Sequence, residues 1–128
     1  MREMPLVSCI DDDESVRDAI EGFLKAFGFS VAVFPSAESF LEAGDLMHTS
    51  CLITDVKLNG MSGIQLLLRL AELGCRIPSI VVTAFADDET REQAIAIGAV
   101  CFLAKPVAKE ELLTCIHAAV KRQLGEEY

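Results

Sequence analysis

The stretch Leu6–Gly28, LVSCIDDDESVRDAIEGFLKAFG, decides the fold because it joins a buried strand directly to an amphipathic helix. The run LVSCI is mostly apolar, and three consecutive aspartates, Asp11 to Asp13, follow it. Beyond them, apolar residues recur at helical spacing until Gly28 ends the pattern. The stretch therefore predicts one βα unit. Its three aspartates form either a solvated turn or a place where something positive binds.

The same alternation of strand and helix repeats four more times along the chain. Strands are predicted to start at Leu6, Phe29, Cys51, Ser79 and Ala99. Their spacing of roughly 20 to 28 residues is the length of a strand plus a crossover helix. Short, nearly all apolar strands are typical of a parallel sheet that helices cover on both faces. The pattern predicts an α/β, doubly wound, flavodoxin-like fold with five parallel strands in the order 2-1-3-4-5.

The composition indicates a single acidic domain over residues 1–128. The chain is 52% hydrophobic, and its mean hydropathy of +0.38 argues against disorder. Its net charge of −9 argues against direct nucleic-acid binding, which normally needs a basic face. The beginning lacks the pattern of a secretory signal, and the uncharged run 94–104 is shorter than the roughly 20 residues of a membrane span. We therefore expect no membrane partner and a cytoplasmic protein.

The five cysteines are interpreted as small buried hydrophobes with free thiols. They are Cys9, Cys51, Cys75, Cys101 and Cys115. Their number is odd, they are scattered, and no CxxC pair occurs. Because several lie inside apolar runs, a packing role is favoured over metal binding or redox chemistry.

Polar side chains follow four of the five predicted strands. They are Asp11 and Asp12 after the first, Asp55 after the third, Thr83 at the end of the fourth and Lys105 after the fifth. Each alone fits a turn, cap or strand residue. Together they would share one rim of the sheet, where ligands bind in such folds. The edge strand, the second, ends instead in Phe34-Pro35.

This set of residues suits phosphoryl chemistry that depends on Mg²⁺. Converging carboxylates raise one another's pKa unless a cation lies among them, and Mg²⁺ binds one or two carboxylates together with water and phosphate. A lysine and a hydroxyl opposite the ion would hold the remaining phosphoryl oxygens. Neither a P-loop nor a GxGxxG motif occurs, so nucleotide binding is not indicated.

Four motifs resemble, in order and spacing, those of the receiver domain of two-component response regulators. They are IDDDESVR (10–17), CLITDVKLNGMSG (51–63), PSIVVTA (78–84) and CFLAKP (101–106). The resemblance covers essentially the whole chain and implies a CheY-like (βα)5 fold. Two further segments, FPSAESFLEAG (34–44) and IPSIVVTAFAD (77–87), are most similar to the FixJ-like transcriptional subfamily.

The resemblance implies a role for each residue at the rim. Asp55 would be the phosphoacceptor, and its donor would be the phosphohistidine of a sensor kinase or a small acyl phosphate. Mg²⁺ would be bound by Asp12 directly, by Asp11 mainly through water, by Asp55 and by the backbone carbonyl of Lys57. Asp13 matches a variable position outside this shell. Phosphoryl oxygens would be bound by Thr83, by Lys105 and by the backbone at Lys57 and Ala84, and the Lys105–Pro106 peptide bond would be cis.

The resemblance also implies a switch and a set of partners. After phosphorylation Thr83 would move toward the phosphoryl group, and Phe102 would swing into the vacated space. The face formed by the fourth helix, the fifth strand and the fifth helix would change, which promotes homodimerisation and controls an output. That output is expected to be transcription through a DNA-binding domain outside this chain. The domain would not be an enzyme beyond catalysing its own phosphorylation and dephosphorylation.

Two departures from the family pattern and two alternatives remain open. Asn59 stands where relatives often have proline, so a looser loop with retained function is expected, while Lys57 and Phe85 occupy positions that influence dephosphorylation. One alternative is a pseudo-receiver that binds partners without phosphorylation. The other is a haloacid-dehalogenase-type phosphatase, whose DxD motif Asp11 and Asp13 formally satisfy. Such a phosphatase requires an acidic pair at a strand end after Lys105, and in this chain the acids that follow Lys105 lie only inside a predicted helix.

Overall fold

A computed structural model describes residues 5–123, apart from the side chain of Gln123, as five strands alternating with five helices. The strands are β1 (Leu6–Ile10), β2 (Ser30–Phe34), β3 (Thr49–Asp55), β4 (Ser79–Thr83) and β5 (Cys101–Ala104). The helices are α1 (Glu14–Ala26), α2 (Ala37–Ala43), α3 (Gly63–Glu72), α4 (Asp88–Ile97) and α5 (Lys109–Gln123). All strand pairs are parallel, in the order β2-β1-β3-β4-β5. The predicted fold class and strand order are confirmed.

The sheet separates two hydrophobic clusters. Ile53 of β3 packs with Leu24 of α1 and Ile116 of α5 on one face. The preceding residue, Leu52, belongs to the cluster on the other face with Phe40 of α2. Successive side chains of a strand point to opposite faces, and here both faces are covered. This double burial explains why the strands are apolar runs rather than alternating patterns.

No helix in residues 5–123 is long and apolar enough to cross a membrane.

Two strands, β2 and β5, begin one and two residues later than predicted. In each case the helix before the strand ends in a turn that includes the expected first strand residue. The backbone N–H of Phe29 donates to the carbonyl of Leu24 over 3.1 Å, and that of Ala99 donates to Ala94 over 3.0 Å. Gly98 has φ of 106° in the second turn, which a glycine adopts without steric cost. These residues therefore cap helices instead of extending strands.

Strand β3 begins two residues earlier than predicted, at Thr49. The prediction followed the apolar run, whereas Thr49 is polar but buried. Its hydroxyl donates to the carbonyl of Asp45 over 2.7 Å and lies 2.9 Å from the hydroxyl of Ser8 on β1. These hydrogen bonds offset the cost of burying a polar side chain. The sequence 108–124, AKEELLTCIHAAVKRQL, predicts a last helix that ends at Leu124, and that residue lies outside the described residues.

The cysteines do not all carry free thiols, so that expectation is wrong for two of them. Cys101 of β5 and Cys115 of α5 are joined in a disulfide. Cys9 and Cys51 are buried with free thiols, as expected, and Cys75 is half-buried and free. Residues 14 positions apart on different elements become neighbours only when α5 packs back on the sheet. Sequence spacing alone does not indicate such a pair.

Candidate functional site

The carboxyl ends of the central strands bring two aspartates and a lysine together. Asp11 directly follows β1, Asp55 ends β3, and Lys105 directly follows β5. The Lys105 ammonium donates to Oδ2 of Asp11 over 2.7 Å and to Oδ2 of Asp55 over 2.6 Å. Asp11 is only 4% exposed and Asp55 only 8%. Three residues far apart in the sequence thus form one buried ionic cluster.

The charge state of Lys105 is set by two opposing effects. Burial lowers the pKa of its ammonium, while hydrogen bonds and charge from Asp11 and Asp55 raise it. The net result is a pKa above the usual value of 10.5. Lys105 is therefore protonated at neutral pH. One positive charge faces two carboxylates, which leaves the cluster with excess negative charge when both are ionised.

The three consecutive aspartates have different surroundings. Oδ1 of Asp11 accepts the backbone N–H of Asp13 over 2.9 Å, and its carbonyl accepts a hydrogen bond of 2.7 Å from Arg17. Asp13 caps α1 and accepts from the hydroxyl and backbone N–H of Ser15, which lowers its pKa. Asp12 is exposed. The sequence pattern does not indicate this contribution of Arg17, because its position in the first helical turn carries no specific signal.

The backbone around Asp55 is closely constrained. Its Oδ1 accepts the N–H of Lys57 over 3.2 Å, and its carbonyl accepts the Thr54 hydroxyl over 3.0 Å. A Cβ atom at Gly63 would lie 2.1 Å from that carbonyl oxygen, so only glycine allows α3 to start this close to β3. The sequence pattern does not single out Gly63 either. Its signal was a weak one, a glycine at the first position of a helix, where glycine lacks favourable propensity.

Thr83 and Phe102, the predicted switch residues, lie on neighbouring strands. Thr83 is fully buried, and its hydroxyl oxygen accepts the N–H of Phe85 over 3.1 Å. Phe102 is half-buried, pairs with Val81 in the β4–β5 register and packs against the cluster beneath α2, α3 and α4. Ala84 is exposed at the same rim. The Lys105–Pro106 peptide bond is cis, the conformation that the resemblance implies.

The loop after β3 is hydrogen-bonded to α2, and the looser loop expected from Asn59 stays a prediction. A carboxylate oxygen of Glu38 accepts the N–H of Met61 over 2.8 Å, and this bond lowers the pKa of Glu38. Farther along the rim, the Lys57 ammonium lies 4.2 Å from the centre of the Phe85 ring. This contact joins the loop after β3 to the loop after β4.

The donor set suits a hard cation, but three carboxylates do not converge as predicted. Within residues 5–123, no group of three or more His, Cys, Asp or Glu residues could hold a metal ion. The cation between Asp11 and Asp55 is the Lys105 ammonium, and the Asp12 side chain is exposed. Mg²⁺ nevertheless binds through one or two carboxylates and keeps several waters. Two nearly buried carboxylates that share one ammonium, with Asp12 adjacent in the chain, fit that requirement.

A largely apolar groove of about 580 Å³ runs beside the ionic cluster. Its lining includes Val16 and Phe23 of α1, Pro106 and Leu112, and also Asp55 and Lys105 of the ionic cluster. The apolar groove and the ionic cluster are therefore contiguous.

The fold and this cluster define a receiver domain. The chain belongs to the response regulator receiver domain family, whose sequence pattern matches residues 7–117. The response regulator protein TodT of Pseudomonas putida is 39% identical over 91% of this chain and 51% of its own length. The transcriptional regulatory protein FixJ of Bradyrhizobium diazoefficiens is 34% identical over 88% of this chain and 55% of its own length. These similarities support the FixJ-like assignment within two-component signalling. The chain spans about half the length of these relatives.

Solved structures give the same result. The response regulator StyR is 34% identical with a TM-score of 0.90, over 96% of this chain and 62% of that one. The crystal structure of FixJ-N is 36% identical with a TM-score of 0.84, over 94% of this chain and 96% of that one. The similarity therefore extends over nearly the whole of FixJ-N.

Proposed function

We propose that residues 1–128 form a single receiver domain in which Asp55 accepts a phosphoryl group from a sensor histidine kinase. The observation that carries the proposal is the Lys105 ammonium placed 2.6 Å from Asp55 and 2.7 Å from Asp11 at the ligand-binding rim. A carboxylate held beside a fixed cation in a nearly buried site can act as a nucleophile toward phosphorus. The same cation then stabilises charge on the phosphoryl oxygens.

The transfer exchanges one bond to phosphorus for another. A carboxylate oxygen of Asp55 attacks phosphorus, and the bond from phosphorus to the donor's imidazole nitrogen breaks, with its electron pair leaving on nitrogen. Lys105, the Thr83 hydroxyl and the backbone N–H groups of Lys57 and Ala84 then hold the phosphoryl oxygens. Attack of water on the aspartyl phosphate later regenerates Asp55. The chain catalyses only these two reactions of its own acceptor.

The proposal includes Mg²⁺ as the cofactor. Asp11, Asp12, Asp55 and the backbone carbonyl of Lys57 would hold it. When bound, the ion neutralises charge among the carboxylates and on the phosphoryl oxygens. The excess negative charge of the cluster supports this assignment.

The partners follow from the same proposal. The domain is cytoplasmic, and a sensor histidine kinase supplies its phosphoryl group, with the apolar groove beside Asp55 as the approach of that kinase. Movement of Thr83 and Phe102 changes the face of α4, β5 and α5, which pairs with a second copy. The output is transcription through an effector domain outside this chain, since the full-length relatives are named as transcriptional regulators or response regulators. The acidic receiver itself does not contact nucleic acid.

The test is the intact mass of the protein after incubation with acetyl phosphate and Mg²⁺. We expect one phosphate adduct that requires Mg²⁺ and disappears in Asp55→Asn. Asp18→Asn, which removes an exposed carboxylate from α1, is the matched control and should be labelled like the unchanged protein. Absence of an adduct from acetyl phosphate and also from phosphorylated kinases that label FixJ-like receivers would favour the pseudo-receiver. An adduct that persists in Asp55→Asn would place the acceptor elsewhere.

A further inference from the structure

One pair of cysteines differs from the other three in its surroundings. Cys101, half-buried at the start of β5, is bonded to Cys115, which is 8% exposed on α5. Burial raises the pKa of the Cys9 thiol to about 12, and it raises the pKa of the Cys51 thiol as well. Thiols that are buried and hard to ionise react slowly with oxidants. Cys75 is half-buried and free. Only the Cys101–Cys115 pair combines a partner with access to solvent in the described residues 5–123.

We propose that Cys101 and Cys115 are a reversible oxidation site that exchanges with small-molecule disulfides of the glutathione type. The Cα atoms of the pair are 6.2 Å apart, a separation that a disulfide spans without backbone movement. The same backbone accommodates two thiols, because both residues lie in regular elements that pack through other apolar residues of the cluster. Both redox forms are therefore compatible with the fold.

The exchange balances in two steps. The Cys101 thiol, as the more exposed, loses its proton and attacks oxidised glutathione, which forms a mixed disulfide and releases one glutathione thiolate. The Cys115 thiolate then attacks the Cys101 sulfur, which forms the protein disulfide and releases the second glutathione. The two cysteines lose two electrons and two protons, and one oxidised glutathione becomes two reduced ones.

The position of the bond determines its effect. It ties the first residue of β5 to the second turn of α5, and Phe102 is the next residue of that strand. Oxidation therefore fixes the strand that bears Phe102 against α5. The consequence for the face of α4, β5 and α5 rests on the proposed function. Oxidation would restrain the change in that face that phosphorylation causes, whereas the thiol form would leave it free.

The test counts thiols and needs no phosphorylation, so its failure is distinct from failure of the proposed function. The protein is equilibrated in buffers of varied reduced and oxidised glutathione, quenched in acid, unfolded, alkylated with a maleimide and weighed. We expect five alkylated cysteines under reducing conditions and three under oxidising conditions, from a chain with five cysteines. Peptide mapping should join Cys101 to Cys115. Five thiols at every ratio, or a bond that joins other cysteines or two chains, would overturn the proposal.

Matched variants assign the effect to the pair. Cys75→Ala should still lose two thiols on oxidation, from four alkylated cysteines to two. Cys101→Ala should show no such loss. If Cys115→Ala fails to fold because Cys115 is buried, Cys101→Ala still tests the proposal. Oxidation should raise the midpoint of thermal unfolding by roughly 5–10 °C in the unchanged protein and not in Cys101→Ala. A transition that survives in Cys101→Ala would contradict the assignment.

Discussion

At the residue scale, the three aspartates after β1 show how neighbours in sequence acquire different tasks. Asp11 is buried and paired with Lys105, Asp12 is exposed, and Asp13 caps α1. Because Lys105 is the cation between two nearly buried carboxylates, its removal leaves both without the positive charge that pairs with them. Breaking such a pair on one side costs about 3–5 kcal/mol. The Lys105 side chain therefore contributes to the fold as well as to the proposed chemistry.

Gly63 provides a steric prediction at the residue scale. In Gly63→Ala the new Cβ would meet the Asp55 carbonyl at 2.1 Å, so backbone must shift. We expect a loss of roughly 1–3 kcal/mol in the free energy of unfolding, measured by urea denaturation. Gly22→Ala in α1 is the control, since nothing lies within 4 Å of its Cβ, and it should stabilise the protein by about 0.5–1 kcal/mol. Equal stability of the Gly63→Ala variant and the unchanged protein would contradict this account.

Phe85 provides a prediction about the lifetime of the phosphorylated form. Phe85 is 59% exposed and its ring contacts the Lys57 ammonium, so the two side chains link the loop after β3 to the loop after β4. Removing the ring should let water reach the aspartyl phosphate more readily and shorten its half-life by roughly threefold. The measurement is decay of the phosphate adduct by mass. Phe27→Ala, which removes a phenylalanine that is 58% exposed at the end of α1, should leave the half-life unchanged. An unchanged half-life in Phe85→Ala would show that the ring does not shield the aspartyl phosphate from water.

How much of the site the sequence could predict depends on the range of each contact. The aspartates, Thr83 and Lys105 were found because strand ends meet at one rim. The sequence also suggested that something positive lies beside Asp11, but not that Lys105, 94 residues away, contacts both Asp11 and Asp55. Side-chain pairing at such range depends on the exact packing. The same is true of the Glu38 bond to the loop after β3.

At the scale of elements, α4 is the helix that is held most weakly by its own side chains. Ala94 is its one fully buried residue, and Ile95 is 55% exposed. Besides Ala94, Ile97 is half-buried against the same cluster, so α4 has little buried apolar surface to lose on moving. Its ends are fixed instead by the Asp87 cap and the turn at Gly98. Such an element can shift while the sheet remains in place.

The Asp87 cap predicts a pH dependence for the start of α4. Hydrogen bonds from Thr90 lower the pKa of Asp87 below its usual value of 3.8. The charged cap therefore stabilises the folded helix above pH 3.8, and this contribution is lost as the pH falls through the lowered pKa. The amide resonance of Thr90, whose N–H donates to Asp87 over 2.7 Å, should titrate with a midpoint below 3.8. In Asp87→Asn that transition should vanish, and a midpoint above 3.8 would refute the account.

Element boundaries show where sequence patterns fail. Hydrophobic runs predict all five strands, but they extend two of them to Phe29 and Ala99, whose N–H groups close the helices before them. The same runs exclude Thr49 because it is polar, although its hydroxyl is hydrogen-bonded to Ser8 and Asp45. In each case a specific hydrogen bond, which periodicity does not encode, determined the boundary.

At the scale of the whole molecule, strand order was predictable because general rules constrain it. Right-handed crossovers and helices on both faces leave few arrangements for five parallel strands. The order then fixes which strand ends are neighbours, so the site is a consequence of topology. The sheet also separates two clusters, with α1 and α5 on one face and α2, α3 and α4 on the other.

The switch proposed for this domain should therefore be confined to one part of the molecule. We expect phosphorylation to change amide-exchange protection most between Thr83 and Phe102, a range that includes α4. The measurement compares the free and phosphorylated forms by hydrogen exchange and mass spectrometry, with Asp55→Asn treated with acetyl phosphate as the control. Protection in β1 and β3 should be nearly unchanged. Equal protection of residues 83–102 in both forms would argue against a switch in this region.

The two edge strands of the sheet, β2 and β5, end close to prolines. Pro35 directly follows β2, and Pro106 comes two residues after β5, which is only four residues long. A proline has no N–H to donate, so a foreign strand that aligns with either short edge cannot extend its ladder past the end of that strand. The chain also carries a net charge of −9, which makes copies repel one another. We expect the domain to resist edge-to-edge aggregation even when it is concentrated.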